Sequence, residues 1–255
     1  MAAPLLELRG VTCEVSPGQP LFHDVSFSVG EGDIIVLQGK SGSGKTTMLK
    51  CIAHLVLHTG NVLYRGSFPT IHTGIPAFRT RVLYVPQRPS LLPGTPRDFL
   101  HSVSELKSHT DYRNEKAEKG APHKVLWRAK DIGGGWGVDD ELWERDWSNL
   151  SGGEAQRIAL AIALALDTAE LSGELGLLIL SVPRGQSFLD IEPTSALDPR
   201  SSAMVEEFLT QEVKDKDSEL KSLIWITHSE EQARRVGTRF LTFSNGQCEE
   251  EESPA

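Results

Sequence analysis

A glycine-rich segment at residues 39–47, GKSGSGKTT, constrains the possible folds more than any other part of the chain. It fits the phosphate-binding pattern GxxxxGK[ST], which is meaningful only between a strand and a helix. Residues 33–38, DIIVLQ, have the composition of a short buried strand, and residues 47–55 have the apolar spacing of an amphipathic helix. The sequence therefore predicts a strand, a phosphate-binding loop and a helix in succession.

The residue types in this loop suit an anion. Glycines permit backbone angles and a close approach that side chains would block, and such a turn can direct several N–H groups at one point. The N-terminus of the following helix adds partial positive charge. Lys45 can reach the β- and γ-phosphates of a nucleotide, and the Thr46 hydroxyl can bind Mg²⁺. The predicted nucleotide-binding residues are Gly39, Ser41, Gly42, Ser43, Gly44, Lys45, Thr46 and Thr47.

Composition narrows the class of protein. The chain has 255 residues, 39% of them hydrophobic and 24% charged, which is ordinary for a globular domain. Its net charge of −9 argues against a dedicated nucleic-acid-binding protein. Cys13, Cys51 and Cys248 lack metal-ligand spacing and are expected to be reduced thiols of an intracellular protein. No apolar run approaches the ~20 residues that span a bilayer, so a membrane role is expected to come through a partner.

The remaining pattern predicts two further regions. Strands are expected at residues 6–11, 22–29, 59–66, 81–87, 175–180 and 222–228. Residues 89–165, approximately, are predicted to form a mainly helical subdomain. We expect its four tryptophans to pack in a small core rather than to bind a ligand: Trp127, Trp136, Trp143 and Trp147. Residues 249–255 are acidic and are predicted to form a flexible, solvated tail.

Five motifs in this order resemble those of the ATP-binding cassette (ABC) ATPases over nearly the whole chain. They are the loop at 39–47, Val85-Pro86-Gln87, LSGGEAQR at 150–157, EPTSALD at 192–198 and Thr227-His228. LSGGE followed by Gln-Arg is the hallmark of that family. Residues 93–98 also make the layout similar to the stand-alone ATPase subunits of small bacterial metal-export transporters. The resemblance implies a single α/β domain over 1–255: a P-loop NTPase with a mixed sheet core, an N-terminal antiparallel β subdomain and an inserted helical subdomain.

The resemblance also implies a function. The chain is expected to bind ATP and Mg²⁺, to dimerise around ATP with a second copy or with another ABC ATPase domain, and to hydrolyse ATP to drive a separate transmembrane permease. It would then lie in the cytoplasm, peripheral to a membrane, with no nucleic-acid partner. In the implied sandwich, the phosphate loop of one chain and Ser151, Gly152 and Gly153 of the other hold the same ATP.

Individual roles follow from the same resemblance. Gln87 would sense Mg²⁺ and the attacking water, while its loop contacts the permease. Glu192 would orient or deprotonate that water, and an aspartate at the preceding strand end, Asp190 here, would hold Mg²⁺ through water. His228 would contact the γ-phosphate, and Asp198 would communicate across the dimer. The catalytic candidates are therefore Glu192, His228 and Gln87, and the metal candidates are Thr46, Gln87 and Asp190.

The segment before Glu192 departs from the family pattern, in which four apolar residues are followed directly by Asp-Glu. Here LLIL at 177–180 is followed by SVPRGQSFLDI at 181–191, and its proline and glycine do not continue a central strand. An insertion of roughly ten residues is predicted. Either the strand ends at Leu180 and the insert loops out, returning Asp190 near the metal, or residues 188–190 replace the strand end and displace 177–180. In both registers Ile191 separates the two carboxylates.

Three questions remain open at this stage. The insertion allows a nucleotide-gated binding module with impaired hydrolysis as an alternative, because a misplacement of about 1 Å can cost on the order of 100-fold in rate. A soluble, non-transport ABC ATPase is a further alternative, although the tandem cassettes or long coiled coil usual there are missing. The family also places an adenine-stacking aromatic residue near the N-terminus, where residues 11–15, VTCEV, offer none. Stacking is either lost or supplied by Phe22.

Overall fold

The computed structural model describes residues 3–69, 74–86, 93–104, 121–166, 177–181, 199–227 and 229–252. A three-stranded antiparallel sheet has the order β2-β1-β4. Its strands are β1 (Leu6–Ser16), β2 (Gln19–Val29) and β4 (Thr59–Tyr64). The first two are longer than the sequence predicts, because their pairing continues through polar residues and several bulges as far as Ser16 and Gln19. The predicted antiparallel sheet near the N-terminus is confirmed.

The second sheet has six strands in the order β5-β6-β7-β3-β8-β9. They are β3 (Ile34–Gln38), β5 (Val82–Val85), β6 (Leu177–Ser181), β7 (Ser222–Ile226), β8 (Arg239–Ser244) and β9 (Gln247–Glu251). All adjacent pairs are parallel except β8 and β9, which are antiparallel. Every residue of β3 and β7 is buried, as expected for parallel strands covered on both faces. The sheet is therefore mixed, as expected.

Helices cover both faces of this sheet. They are α1 (Lys45–Ile52), α2 (Gly74–Arg81), α3 (Pro96–Ser104), α4 (Ala121–Gly135), α5 (Gly152–Ala165), α6 (Pro199–Lys214) and α7 (Glu230–Val236), with short 3₁₀ turns at Asp140–Glu144 and Trp147–Asn149. Between residues 89 and 165 the described elements are all helical. None of the described helices has both the length and the apolar character needed to cross a membrane.

Alternation along β3 separates two apolar cores. Ile34 and Val36 pack on one side with α5, α6 and most of the helical region. Ile35 and Leu37 pack on the other side with α1 and the antiparallel sheet. Because successive side chains of a strand point to opposite faces, α1 and α5 lie on opposite faces of the six-stranded sheet.

Two sequence predictions need correction. Residues 249–251 are not part of a flexible tail, because they pair with Phe240, Leu241 and Thr242 as the edge strand β9. Their side chains are largely exposed, so an acidic composition alone does not reveal the pairing. Among the tryptophans, Trp136, Trp143 and Trp147 are buried as expected, whereas Trp127 is 69% exposed and belongs to the surface.

Candidate functional site

The phosphate-binding loop connects the end of β3 at Gln38 to the start of α1 at Lys45, which confirms the predicted context. At two positions of the loop, glycine is favoured both by a positive φ and by the lack of space for a side chain. Gly39 has φ +136°, and a Cβ there would lie 2.2 Å from the carbonyl oxygen of Phe243. Gly44, the N-cap of α1, has φ +106°, and its Cβ would lie 3.1 Å from Cγ of Leu21. The loop therefore fits closely between β8 and the start of β2.

The side chain of Lys45 lies inside the curve of this loop. It is largely buried, with the residue 6% exposed. The Nζ group donates hydrogen bonds to the carbonyl oxygens of Gly39 at 2.7 Å and Lys40 at 2.8 Å. These bonds fix a positive charge beside the backbone turn, at the N-terminal end of α1. Both the charge and the helix end favour an anion at this position.

The other loop residues complete a polar concavity. Ser43 Oγ is buried and has no hydrogen-bond partner, which is costly unless a ligand supplies one. A side chain at Gly42 would meet nothing within 4 Å, so the space beside the loop is open. Ser41 and Thr46 are exposed, and Thr47 is partly buried. The predicted loop residues thus come together in an arrangement that fits a polyphosphate, with the Thr46 hydroxyl available to Mg²⁺.

A cavity of about 510 Å³ adjoins the loop. Its walls are residues 40–43, Pro20, Leu21, His23, and residues 243–246, which form the end of β8 and the β8–β9 turn. His23 is exposed there, and its backbone N–H donates to the Gly246 carbonyl at 3.0 Å, which joins the turn to β2. Sequence reasoning missed both His23 and the turn. The Asn245-Gly246 pair, with φ +49° and +75°, is a hairpin signal that was visible in the sequence, but it does not reveal what the hairpin packs against.

Phe22 does not take part in this cavity. It is fully buried, and its ring packs edge to face against Phe243 at a centroid distance of 5.6 Å. The suggestion that Phe22 stacks on the base is therefore wrong, because β2 turns this side chain into the core and the next one, His23, outward. Val15, within the segment that lacks an aromatic residue, is 73% exposed.

The LSGGE motif forms the start of α5. Ser151 is the N-cap: its Oγ accepts from the Glu154 N–H at 3.3 Å, and its own N–H donates to Glu154 Oε2 at 2.7 Å. This reciprocal capping box leaves Ser151 and Gly152 exposed, while Gly153 is buried. Arg157, 6% exposed, has a lowered pKa because of burial, with the Glu154 charge acting in the opposite direction. The exposed end of α5 is thus closed by its own capping box.

Five predicted site residues lie outside the described part of the chain: Gln87, Asp190, Glu192, Asp198 and His228. The elements that lead to them are described. Val85 of β5 is level with Leu180 of β6, and Ile226 of β7 is level with both Ser181 of β6 and Leu37 of β3. Hence β5, β6 and β7 end at the edge of the sheet where the phosphate loop starts, as ligand sites of open α/β sheets require.

The same pairing decides between the two registers of the interrupted strand. Residues 177–181 pair with β5 on one side and β7 on the other, so β6 occupies a central place in the sheet. The register in which residues 188–190 displace 177–180 is therefore wrong. Among the described residues no group of three or more His, Cys, Asp or Glu could hold a metal ion. Of the three predicted Mg²⁺ ligands, Thr46 is the one that lies in the described part of the chain.

Comparison with known proteins identifies the family. The family model described as "ABC transporter" matches residues 22–171, which is more than half of the chain and includes both the phosphate loop and the capped start of α5. The chain belongs to the ABC transporter family.

Curated relatives agree with this assignment. The ABC chain is 31% identical over 244 residues to the phosphate import ATP-binding protein PstB of Staphylococcus saprophyticus, covering 89% of this chain and 70% of the relative. It is 28% identical over 260 residues to the methionine import ATP-binding protein MetN of Chlamydia caviae, covering 97% of this chain and 65% of the relative. The resemblance to metal-export subunits stays a prediction.

Solved structures show the same fold. A dimeric ATP-binding cassette in a post-hydrolysis state, bound to ADP and phosphate, has a TM-score of 0.72 at 23% identity, with 97% of this chain and 98% of that chain covered. CbiO1 of Clostridium perfringens has a TM-score of 0.69 at 18% identity, with 97% and 87% covered. At these identities the likeness concerns the fold, which is that of an ABC ATPase domain.

Proposed function

We propose that this ABC chain binds Mg-ATP at its phosphate loop and hydrolyses it as the ATPase subunit of a membrane transporter. The observation that carries the proposal is the loop itself. The Lys45 ammonium is fixed against the Gly39 and Lys40 carbonyls, an unpartnered Ser43 hydroxyl lies beside it, and α1 begins there. A polyphosphate would satisfy Ser43 and match the local charge. When bound, Mg²⁺ neutralises charge on the phosphates, with Thr46, Gln87 and Asp190 as the residues we assign to hold it.

Dimerisation around ATP is the second part of the proposal. The helices that begin at Lys45 and at Gly152 pack on opposite faces of one sheet. A chain arranged in this way can present the exposed Ser151 and Gly152, with Gly153 behind them, to the phosphate loop of another chain. The partner is a second copy or another ABC ATPase domain. In such a sandwich Asp198 would act across the dimer, and each ATP would contact both chains.

A permease is the third part. An apolar cavity of about 310 Å³ lies between β5, α3 and α5, with Pro86, Phe99, Trp147 and Leu166 in its walls. Pro86 immediately precedes Gln87, whose loop we assign to permease contact. An amphipathic helix of a transmembrane subunit would fit such a groove. The chain would then lie on the cytoplasmic face of a membrane, held there by that subunit. The relatives named for import favour an import assembly.

We assign hydrolysis to Glu192, Gln87 and His228, which follow β6, β5 and β7 in the sequence. Glu192 would orient or deprotonate the attacking water, Gln87 would help to place it, and His228 would contact the γ-phosphate. The capped α5 of the partner would close the site from the other side. Exclusion of bulk water there would strengthen the interactions of the site with the phosphates.

Nucleotide binding is tested with Lys45→Ala. We expect the variant to lose Mg-ATP binding, because it removes the ammonium that the loop encloses. Lys50→Ala is the matched control, since Lys50 is a second lysine of α1, in its last turn and away from the loop. Affinities are measured by calorimetry with a slowly hydrolysed ATP analogue. Unchanged binding by Lys45→Ala would remove the assigned site.

Hydrolysis is tested by trimming the insertion. A variant lacking residues 181–189 and Ile191 places Asp190 directly after Leu180, in the position of Ser181 opposite Ile226, and makes Asp190 and Glu192 adjacent. Equal steady-state turnover by both chains supports the ATPase assignment for the natural sequence. Turnover by the trimmed chain alone would make the natural chain a nucleotide-gated binding module. In an active chain, Glu192→Gln should trap an ATP-bound dimer, which is detected by size-exclusion chromatography.

A further inference from the structure

A buried polar cluster joins α6 and α7 beside the end of β7. Its central group is Glu206 of α6, whose side chain is 4% exposed. The surrounding turns of α6 pack into the apolar core through Val205 and Leu209. A carboxylate lies this deep only when partners satisfy its oxygens.

Both carboxylate oxygens of Glu206 have partners on α7. Oε2 accepts from Nε of Arg235 at 2.8 Å and from Nη2 at 2.5 Å. Oε1 accepts from Nε2 of Gln232 at 2.7 Å. The Arg235 side chain is 49% exposed, whereas Gln232 is 1% exposed. The arginine end of the cluster therefore contacts solvent, and the glutamine end is buried. Because the carboxylate accepts only, it determines which end of the Gln232 amide faces it.

The hydrogen bonds continue from Gln232 to the residues on either side of His228. With Nε2 turned to Glu206, Oε1 of Gln232 accepts from the Thr227 hydroxyl. That hydroxyl has then donated its only hydrogen, and it accepts from the Ser229 backbone N–H at 3.1 Å. Ser229 Oγ accepts from the Gln232 N–H at 3.2 Å and caps α7. From the Ser229 N–H through the Thr227 hydroxyl and the Gln232 amide, donation thus runs in one direction to Glu206.

We infer that Glu206 is a positioning residue for His228. By orienting the Gln232 amide it fixes Thr227 and Ser229, which flank His228 in the sequence. The inference rests on the proposed function, in which His228 contacts the γ-phosphate. Glu206 also belongs to the helix that begins directly after Asp198, so the same side chain ties that helix to the Thr227–Ser229 turn.

The first test measures the turn itself by amide hydrogen exchange. Glu206→Gln replaces one acceptor oxygen by a donor, which places donor against donor at Gln232 or at Arg235. We expect the Ser229 and Gln232 amides to exchange roughly 10-fold faster or more, while the amides of β7 are unchanged. Glu207→Gln is the matched control, because the neighbouring Glu207 is exposed. Unchanged exchange at Ser229 and Gln232 overturns the inference.

Thr227→Val keeps the test valid if Glu206→Gln does not fold. Valine has the shape of threonine without the hydroxyl, so it removes the last step of the cluster and leaves the contact between Glu206 and Arg235 in place. It should reproduce the faster exchange of Ser229. Exchange of Ser229 at the rate of the unaltered chain would show that the hydroxyl does not hold the turn, and would overturn the inference.

The second test asks whether Glu206 acts through His228. Affinities for ADP and for a slowly hydrolysed ATP analogue are compared in the unaltered chain, Glu206→Gln, His228→Ala and the double variant. We expect each single change to reduce the preference for the γ-phosphate by about 10-fold, with ADP binding unchanged, and the double variant to match His228→Ala. Additive effects would mean that Glu206 stabilises the fold without positioning His228.

These two tests separate failure of the inference from failure of the proposed function. If the unaltered chain binds neither nucleotide, the proposed function is wrong, and the exchange experiment still decides whether Glu206 fixes the turn. If nucleotide binds and exchange is unaffected by Glu206→Gln, the proposed function stands and the inference is wrong.

Discussion

Gly39 and Gly42 are glycines of one loop that the structure uses differently, and this difference gives a quantitative prediction. At Gly39 a methyl group would lie 2.2 Å from the Phe243 oxygen and 3.1 Å from its carbonyl carbon, with φ at +136°. At Gly42, where φ is +78°, nothing lies within 4 Å of the added atom. The obstacle at Gly39 is the backbone of β8, which is paired to β3 and cannot swing aside as a side chain can.

The magnitudes follow from these contacts. A residue other than glycine with positive φ costs about 1–2 kcal/mol at either position. Overpacking against fixed backbone adds about 1–3 kcal/mol at Gly39 alone. We therefore expect Gly39→Ala to lower the free energy of unfolding by about 2–5 kcal/mol and Gly42→Ala by about 1–2 kcal/mol. Domains are typically stable by about 5–15 kcal/mol, so the first loss is large.

Urea unfolding without nucleotide, followed by tryptophan fluorescence and circular dichroism, measures both losses on one scale. Similar m-values for the three chains are needed, so that the comparison concerns stability and not a change in the surface exposed. The Gly39→Ala loss should exceed the Gly42→Ala loss by at least about 1 kcal/mol. Equal losses, or a smaller loss at Gly39, would refute the reasoning, because the close approach of β8 would then carry no energetic weight.

Three further predictions concern single side chains. The pKa of His54 is lowered from 6.5 to about 4, first by burial and then by the charges of His58 and Arg79. The unfolded chain therefore binds the proton first, and the free energy of unfolding should fall as pH falls from 6.5 to 4, by about 1–2 kcal/mol because solvent partly screens this half-buried ring. His54→Asn, which tolerates the φ of +53° there, should flatten that loss in urea unfolding at several pH values, and an equally steep loss would contradict the assignment. Ser151→Ala should lower the free energy of unfolding by about 1 kcal/mol, because it removes the cap of α5. The control in urea unfolding is Ser151→Thr, which keeps a hydroxyl and should lose less stability. Equal losses in the two variants would contradict the capping role. His23→Ala should weaken ATP binding by about fivefold and leave the affinity for inorganic triphosphate unchanged, since His23 lines the cavity beside the loop. Both affinities are measured by calorimetry. An equal loss of affinity for both ligands would place His23 at the phosphates.

Local patterns were sufficient where a short segment specifies its own backbone. The phosphate loop and the buried strand before it lie within a few residues of the sequence that signals them, and the structure contains both. The tail at 249–251 was wrong for the opposite reason. Its glutamates have polar, exposed side chains, and only pairing with β8 gives that backbone its hydrogen bonds.

The two residues Phe22 and His23 show the same division over a longer range. Which of them faces the cavity beside the phosphate loop depends on the face of β2 that the core covers, and a shift of one residue exchanges the two. The Glu206 cluster joins residues 20 or more positions apart, and nothing in the sequence around Glu206 marks that glutamate as buried.

The sequence by itself determined the class of this protein, because each motif of an ABC ATPase is a short contiguous stretch that can be recognised without knowing which distant segments it meets. The tertiary structure alone decided that the strand at 177–181 pairs between β5 and β7, that α1 and α5 lie on opposite faces, and that Glu206 is tied to the turn after β7. Those facts depend on which distant segments exclude water together, and burial of that kind is a property of the assembled core.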